Sequence, residues 1–427
     1  MPKTVAVMGL GYVGLPVACL VAKKGFKTHG LELNPRVVDQ VNQGKSHIRD
    51  PALIKAVKAV KGKLLATGDA GLALSGADIV LVCVPTPVTQ DKHPDLGFVE
   101  SACRTLARHL RKGMLVVIES TVYPGVTDEI VKPLLEQSGL RAGKDFGLVH
   151  CPERIDPGNQ EFALENIPRV VGGVDEHSTT EAVKFYRKIL AASVTPLNSI
   201  KAAEAVKIME NTFRDVNIAF INEIAMSFDK LGIDVLEVIK GCSTKPFGFM
   251  PFYPGPGVGG TCIPKDPYYL IERAREKGFE HRFVSLARSL NNAMPVYAVS
   301  LVEQLLASLG KPVETAHLAL LGLSYKADVD DVRESPALEI LRLLSAKNKS
   351  LKAFDPFVPG KSNVRSLEEA VQGADCVLLA TNHRSFVKSL SPRQLKAWNV
   401  KAVFDARNAL DKEGILAAGI RYKGIGR

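Results

Sequence analysis

Close to its start the chain places a glycine-rich turn between a short apolar run and a helical pattern. Thr4-Val5-Ala6-Val7-Met8 has the composition of a buried strand, and Gly9-Leu10-Gly11-Tyr12-Val13-Gly14 separates it from a helical stretch that ends near Lys24. At this spacing the first glycine permits a tight turn, the second lets a pyrophosphate approach, and the third lets the helix pack on the strand. The N–H groups at the helix start then attract phosphate. The pattern predicts a doubly wound α/β domain that binds a dinucleotide.

An acidic residue follows the second predicted strand. That strand runs from Lys27 to Leu31 and ends at Glu32, eighteen residues after Gly14. A carboxylate there accepts hydrogen bonds from the ribose hydroxyls and repels a 2′-phosphate, so the sequence favours NAD over NADP, although the nearby Arg36 weakens this preference. The alternative is a structural turn without a ligand. The predicted NAD-binding residues of this region are Gly9, Gly11, Tyr12, Val13, Gly14, Glu32 and Arg36.

Two further apolar runs are typical of parallel strands that are buried on both faces. Ala77 to Val84 continues into Pro85-Thr86-Pro87, and Leu115 to Ile118 continues into Glu119-Ser120-Thr121. Ligands of such sheets lie beyond the carboxyl ends of the strands, so both threonines are placed to contact the cofactor or a reacting water. Each hydroxyl could equally cap the next helix.

A fourth strand is predicted from Gly147 to His150. It ends in Cys151-Pro152-Glu153-Arg154, again a strand end that carries charged residues. Asp156-Pro157-Gly158-Asn159 then predicts a turn.

The segment from Lys201 to Leu231 contains neither glycine nor proline and repeats apolar residues at helical spacing. It is longer than a typical helix, so we expect a central spine and a dimer contact. One stripe of this helix is apolar and consists of Val206, Met209, Phe213, Val216 and Phe220. Another stripe is polar and consists of Lys207, Asn211 and Arg214. A polar stripe is usually only a solvated face, but the Lys-Asn-Arg composition favours a face toward an anion.

One loop is rich in glycine and proline and contains a cysteine. Pro254-Gly255-Pro256-Gly257-Val258-Gly259-Gly260-Thr261-Cys262-Ile263-Pro264-Lys265-Asp266 cannot be a helix or a central strand, and its glycines let a ligand approach the backbone. A nearby positive charge turns a thiol into the reactive thiolate. Cys262 is therefore a candidate nucleophile, and the alternative is a small buried apolar residue.

The C-terminal third repeats the start of the chain imperfectly after a linker at 310–315. Leu318 to Leu323 parallels Val5 to Leu10, and Ala374 to Leu379 parallels Ala77 to Val82. Ser324 stands at the position of Gly11, so the full phosphate fingerprint is absent, and the basic Lys326 follows it. We predict a second doubly wound domain.

Composition narrows the class of protein. The 427 residues suffice for two or three domains, and seven scattered cysteines without CxxC spacing argue against a disulfide framework or a zinc site and for a reducing compartment. The net charge of +10 suits an anionic partner, and its dispersion favours a small molecule over nucleic acid. The uncharged stretch Val5 to Ala22 resembles a signal peptide but is broken by glycines and Pro16. We expect a cytoplasmic protein with no membrane segment and no metal.

These features indicate a two-stage oxidation. Hydride transfer from an alcohol to NAD gives an aldehyde, which a thiolate can trap as a thiohemiacetal. A second hydride transfer gives a thioester, and water releases an acid. Two rivals stay open: a two-electron hydroxyacid dehydrogenase, which needs no cysteine, and a redox-sensing regulator that binds NAD without turnover.

Several ordered motifs also carry a family resemblance. They are Gly9 to Pro16, Cys83 to Pro87, Glu119 to Gly125, Pro152 to Arg154, Lys207 with Asn211, and Lys245 to Tyr253 running into the cysteine loop. From Gly9 to Asn408 the chain resembles the UDP-glucose/GDP-mannose dehydrogenase family, and within it the UDP-N-acetylhexosamine 6-dehydrogenases. Thr261, where these enzymes usually have histidine, and Lys265, where they usually have an aliphatic residue, depart from the pattern and leave the sugar open.

The resemblance implies roles for individual residues. It implies that Cys262 is the nucleophile, that Lys207 stabilises the oxyanion and moves protons, that Asn211 and Asp266 are polar partners of Lys207, and that Glu153 and Thr121 orient water. It implies that Arg333 contacts the cofactor or a neighbouring subunit, and that Lys245 reaches a partner's substrate. The substrate-binding residues that it implies are Arg154, Ile155, Lys207, Asn211, Arg214, Lys245, Phe252, Tyr253, Gly259, Tyr325 and Lys326.

The expected architecture is α/β, with two Rossmann-like doubly wound domains joined by a long central helix and a helical domain. We predict an NAD-binding domain at 1–198, a central dimerisation domain with the cysteine loop at 199–311, and a C-terminal UDP-sugar-binding domain at 312–427. The alternative for the last domain is a purely structural role. The predicted activity is oxidation of a UDP-sugar at C6 to the uronate in a homodimer, with UDP-N-acetylglucosamine first and UDP-N-acetylmannosamine, UDP-N-acetylgalactosamine and UDP-glucose as alternatives.

Overall fold

The computed structural model describes residues 3–89, 91, 93–155 and 162–427. The turn predicted at 156–159 lies outside these residues. The chain divides into two compact units, the first formed by Met1–Glu210 and Tyr268–Phe279, the second by Asn211–Pro267 and Glu280–Arg427. Each unit is built around one sheet. The three predicted domain ranges, with limits near residues 198 and 311, stay a prediction.

The first unit contains an eight-stranded sheet with the order β3-β2-β1-β4-β5-β6-β7-β8. All neighbouring strands are parallel except β6 and β7, which are antiparallel. The strands are β1 Thr4–Met8, β2 Lys27–Leu31, β3 Leu64–Thr67, β4 Ile79–Val82, β5 Leu115–Ile118, β6 Gly147–His150, β7 Arg169–Gly173 and β8 Val194–Leu197.

Apolar cores cover both faces of this sheet, because successive strand residues point to opposite faces. Val5 and Val7 belong to one core, and Ala6 and Met8 belong to the other. The helices of the unit are α1 Gly14–Lys23, α2 Pro35–Asn42, α3 Pro51–Ala59, α4 Ala70–Leu74, α5 Gly97–Ala107, a π-helical turn Thr127–Val131 that continues into α6 Lys132–Glu136, a 3₁₀ turn Leu164–Asn166 and α7 Glu176–Ile189.

Four helices lie between the two sheets in the sequence. They are α8 Ile200–Leu231, α9 Val235–Cys242, α10 Asp266–Glu276 and α11 Arg282–Ala307. The 32-residue α8 confirms the predicted long helix and begins one residue before the predicted Lys201. Both α8 and α10 contribute residues to each unit.

The second unit contains an all-parallel five-stranded sheet with the order β10-β9-β11-β12-β13. Its strands are β9 Leu318–Leu321, β10 Lys352–Phe354, β11 Cys376–Leu379, β12 Ala402–Asp405 and β13 Arg421–Gly424. Its helical segments are α12 Pro336–Lys347, a 3₁₀ turn Pro359–Lys361, α13 Leu367–Val371, α14 Arg384–Ser389, α15 Pro392–Ala397 and α16 Lys412–Ala417. Apolar cores again lie on both faces, so the predicted pair of Rossmann-like doubly wound sheets is confirmed.

Candidate active site

The glycine turn between β1 and α1 has the geometry that its spacing predicts. Gly9 has φ +88°, which favours glycine, and a side chain on Gly14 would stand 1.9 Å from the Gly9 carbonyl oxygen. A Cβ on Gly11 would meet no atom within 4 Å, so this turn leaves open space at the middle glycine. The outer glycines thus serve the fold, and the middle one leaves room for a ligand.

Glu32 is held at the end of β2. Its Oε2 accepts the Leu10 N–H at 3.0 Å, and its Oε1 accepts the Asn34 N–H at 2.9 Å. The carboxylate is thereby fixed beside the glycine turn, where it can accept hydrogen bonds from ribose hydroxyls. Open space at Gly11 and a carboxylate at this place fit NAD.

Thr86 and Thr121 lie on two loops that follow parallel strands. The carbonyl oxygen of Thr86 accepts the hydroxyl of the buried Tyr269 at 2.5 Å. The loop that begins at Thr121 is held at its other end by the buried Glu204 carboxylate, which accepts the N–H groups of Gly125 and Thr127 at 2.6 and 2.8 Å. Burial raises the pKa of Glu204 from 4.5 to about 7. Neither threonine caps the first turn of the helix after its loop, because α5 has no side-chain cap and its N-cap is Leu96, and the π-helical turn starts at Thr127.

Glu153 is buried after β6, and its surroundings include Arg169, to which the sequence gave no role. Its Oε1 accepts the N–H groups of Arg154 and Ile155 at 2.6 and 2.8 Å, and its Oε2 accepts from the guanidinium of Arg169. The same guanidinium lies 3.6 Å from a second buried carboxylate, Glu119. In the sequence Glu119 follows a buried strand and begins the motif Glu119 to Gly125, but neither signal gives it a role of its own.

Arg154, a predicted substrate ligand, pairs with Glu210. Its Nε donates to Glu210 Oε2 at 3.1 Å, its Nη2 donates to the other carboxylate oxygen, and its Nη1 donates to the Pro168 carbonyl at 2.9 Å. The structure therefore gives Arg154 a defined orientation. Ile155 joins it through their shared acceptor, Glu153.

Several residues of the two α8 stripes differ in burial from those of a helix whose apolar side faces the core of its own chain. Lys207 and Asn211 of the polar stripe are buried, whereas Met209, Phe213 and Phe220 of the apolar stripe are 71%, 46% and 56% exposed. The reading of Lys207 and Asn211 as a solvated face is therefore wrong. Arg214, which continues the polar stripe, is exposed.

Cys262 is exposed, which contradicts its alternative reading as a buried apolar residue. Its carbonyl oxygen accepts the N–H groups of Lys265 and Asp266 at 3.1 and 2.9 Å, so the cysteine sits on the turn that begins α10. Asn211 donates its Nδ2 to Asp266 Oδ2 at 2.5 Å. Three predicted catalytic residues of the second unit are thus brought together. Lys207 belongs to the first unit, so its partnership with Cys262 stays a prediction.

The cysteine loop rests on the segment 325–334. A side chain on Gly259 would stand 2.6 Å from Cβ of Tyr325, and one on Gly260 would stand 2.9 Å from the Tyr325 ring. The Gly260 N–H donates to the Arg333 carbonyl at 2.9 Å. These close approaches require glycine and fix the loop against the segment that carries three predicted ligand-binding residues.

Arg407 also lies at this place, although its position in the sequence gives it no assigned role. Its Nε donates to the Ala380 carbonyl at 2.9 Å, its Nη2 lies 3.4 Å from the Tyr325 carbonyl oxygen, and a Cβ on Gly255 would be 3.1 Å from its Nη1. The available signal was its position two residues after β12, beyond the carboxyl end of a strand.

The other predicted ligands have simpler surroundings. The Lys245 amino group lies 4.9 Å from the centre of the Phe247 ring, and Phe252 packs edge-on against Phe213 at 5.9 Å between ring centres. Arg333 pairs with Asp331. Tyr12, Arg36 and Tyr253 are exposed, and Val13 and Lys326 are partly buried.

Two classes of feature are absent from the described part of the chain. Residues 3–89, 91, 93–155 and 162–427 contain no group of three His, Cys, Asp or Glu side chains that could hold a metal ion. Among the same residues no helix has both the length and the apolar character that crossing a membrane requires.

Three family models match the chain in order. Residues 3–190 match the NAD binding domain of the UDP-glucose/GDP-mannose dehydrogenase family, residues 201–293 match its central domain, and residues 319–412 match its UDP binding domain. The chain belongs to the UDP-glucose/GDP-mannose dehydrogenase family. It is therefore an NAD-dependent oxidoreductase, and the family resemblance and the NAD cofactor predicted from its motifs are confirmed.

Similar proteins match this member of the family over nearly its whole length. The UDP-N-acetyl-D-mannosamine dehydrogenase of Pyrococcus horikoshii is 38% identical and covers 99% of each chain. The UDP-N-acetyl-D-glucosamine 6-dehydrogenase of Pseudomonas aeruginosa is 36% identical and covers 95% of each. A solved structure of UDP-D-ManNAc dehydrogenase from Pyrococcus horikoshii superposes with a TM-score of 0.92, at 38% identity, over 100% of this chain and 99% of that one.

Proposed function

We propose that the protein is a UDP-N-acetylhexosamine 6-dehydrogenase that converts the C6 alcohol of its substrate to the carboxylate. One observation carries the proposal: the exposed Cys262 sits on a glycine loop beside Asp266, which is paired with Asn211. The relatives named for N-acetylhexosamine substrates support the sugar class. UDP-N-acetylglucosamine is the first substrate to test and UDP-N-acetylmannosamine the second.

The glycine turn and Glu32 would hold NAD, which when bound accepts one hydride in each of two oxidations. Gly11 leaves room for the pyrophosphate, and the Glu32 carboxylate would accept the ribose hydroxyls. The segment 325–334 and Gly259 would hold the UDP part of the substrate. Their close packing supports this role because it brings the segment that begins at Tyr325 against the cysteine loop.

Cys262 would carry the carbon that is oxidised. Its thiolate bonds to the aldehyde carbon to give a thiohemiacetal, and the oxidised form is a thioester. The ammonium of Lys207 would stabilise the oxyanion, and Asn211 with Asp266 would complete the polar surroundings. In the last step a water oxygen bonds to the acyl carbon and the C–S bond breaks. The sulfur leaves as thiolate, with Glu153 and Thr121 orienting the water.

Incubation with NAD and each of UDP-N-acetylglucosamine, UDP-N-acetylmannosamine, UDP-N-acetylgalactosamine and UDP-glucose tests the proposal. We expect two NADH for each sugar consumed, and kcat/KM for an N-acetyl sugar about tenfold or more above that for UDP-glucose, because the binding site must accommodate the acetamido group. One NADH per substrate would indicate the hydroxyacid type of dehydrogenase. NAD binding without turnover would indicate a regulator, and faster oxidation of UDP-glucose would contradict the sugar class.

We also infer a homodimer that forms through α8. Exposed Met209, Phe213 and Phe220 form one apolar stripe on this helix, and a second copy of the chain would bury it. Sedimentation should give a dimer for the wild type and a monomer for Phe220→Asp. Phe98→Asp, at another exposed phenylalanine, should stay dimeric. A dimeric Phe220→Asp variant would contradict this interface.

A further inference from the structure

One arginine lies between two buried carboxylates at the carboxyl-end edge of the first sheet. Arg169 begins β7, and its side chain is 1% exposed. Its Nη2 donates to Glu153 Oε2, and its Nη1 lies 3.6 Å from Glu119 Oε2. The guanidinium carbon also lies 5.6 Å from the centre of the Tyr186 ring. A planar guanidinium directs its donors at fixed angles, so it can hold both carboxylates at once.

Glu153 is held from two sides. Backbone N–H groups of Arg154 and Ile155 bind one carboxylate oxygen, and Arg169 binds the other. Donors on both oxygens fix the rotation of the carboxylate as well as its position. Without Arg169 only the first oxygen would keep its donors, and the second would be a buried acceptor that has lost its guanidinium partner.

Glu119 differs from Glu153 in its surroundings. Its Oε1 accepts the Tyr186 hydroxyl at 2.5 Å, and its Oε2 lies 3.8 Å from the Cys83 sulfur. Burial raises the pKa of Glu119, with a further contribution from the Glu153 charge. The charge of Arg169 and the hydrogen bond from Tyr186 oppose this rise in the pKa of Glu119. The hydrogen-bonded pair of Glu119 and Tyr186 lies beside the guanidinium.

We propose that Arg169 is a positioning residue for thioester hydrolysis, which holds the Glu153 carboxylate in the orientation in which it directs the attacking water. The inference rests on the proposed function, in which Glu153 orients this water. In the step that Arg169 supports, the water oxygen bonds to the acyl carbon and the bond to the Cys262 sulfur breaks. The sulfur keeps the electron pair as a thiolate. Both water protons end in solvent, the first by way of Glu153.

The variant Arg169→Met, mixed rapidly with NAD and a UDP-N-acetylhexosamine, tests the proposal. Absorbance reports the first NADH burst, and intact-protein mass spectrometry reports the acyl-enzyme on Cys262. We expect the burst to be kept, the acyl-enzyme to accumulate, and steady-state turnover to fall about 100-fold, because a misplaced positioning group costs about that factor. Arg169→Lys keeps the charge without the fork and should recover part of the turnover.

Arg111→Met is the matched control. Arg111 donates to the Ala77 carbonyl just before β4, at the end of the sheet where β4 begins and Arg169 does not lie. The turnover rate of this variant should therefore equal that of the wild type. Melting temperature and NAD affinity report folding, and if Arg169→Met does not bind NAD, Arg169→Lys decides by the same two readouts. A proportional loss of burst and turnover, or wild-type turnover without acyl-enzyme, would overturn the role of Arg169. Absence of acyl-enzyme from every variant in which uronate still forms would instead overturn the covalent route itself.

Discussion

Replacing Cys262 by alanine is expected to lower uronate formation by at least about 10⁴-fold, because loss of a covalent nucleophile removes the route through the thioester. The methyl group of alanine cannot bond to the aldehyde carbon, so no intermediate would hold the sugar between the two oxidations. Product acid measured by chromatography, together with the NADH released, gives the size of the effect.

Cys242 offers a matched control, because Cys242 and Cys262 are the two exposed cysteines among the described residues. Cys242→Ala should keep wild-type turnover. A thiol reagent should inactivate the wild type and Cys242→Ala at equal rates, and the substrate should protect both. If Cys262→Ala makes uronate as fast as the wild type, the covalent mechanism is wrong.

Alanine at Gly14 should destabilise the first unit by about 3 kcal/mol or more, since the new Cβ would stand 1.9 Å from the Gly9 carbonyl oxygen and 3.0 Å from the Cys83 side chain. Neither neighbour can move cheaply, because one is backbone and the other is buried. The start of α1 would be displaced, and NAD binding would be lost with it.

Alanine at Gly11 should weaken NAD binding without destabilising the fold. A Cβ there meets no protein atom within 4 Å, so the melting temperature should stay close to that of the wild type. The methyl group would occupy space that a pyrophosphate approaches, so NAD affinity should fall about tenfold or more. Calorimetric melting and NAD titration of the two variants make the comparison. Equal losses of stability in both would show that the glycines act only through folding.

The central strands of the first sheet could be predicted from the sequence, but the strands β7 and β8 at one edge could not. β1, β4 and β5 are continuous apolar runs that end at turn residues, which is the pattern of central parallel strands. β7 begins with a buried arginine, and β8 contains a proline, which suits an edge strand. The antiparallel pairing of β6 with β7 depends on how the chain returns to the sheet, and local periodicity does not encode that path.

Some residues of the candidate site could be predicted from the sequence and others could not. Gly9, Gly14 and Cys262 stand in motifs whose spacing carries the chemistry, so they could be named from the sequence. Arg169 and Arg407 stand in no motif, and a buried arginine is indistinguishable in sequence from a solvated one. The stripes of α8 could be traced from their period, but which stripe is covered depends on neighbours that lie far away along the chain.

The packing of Gly259 and Gly260 against Tyr325 ties the loop that bears the thiol to a stretch sixty-odd residues later. The two stretches approach so closely that glycine is required at the contact, so a substitution in one stretch must be matched by a change in the other. A chimera that takes its C-terminal third from a relative would also need that relative's cysteine loop in place of residues 254–266. Evolution of a new sugar preference would face the same restriction, because a substitution in the cysteine loop would need a compensating substitution in the stretch that begins at Tyr325.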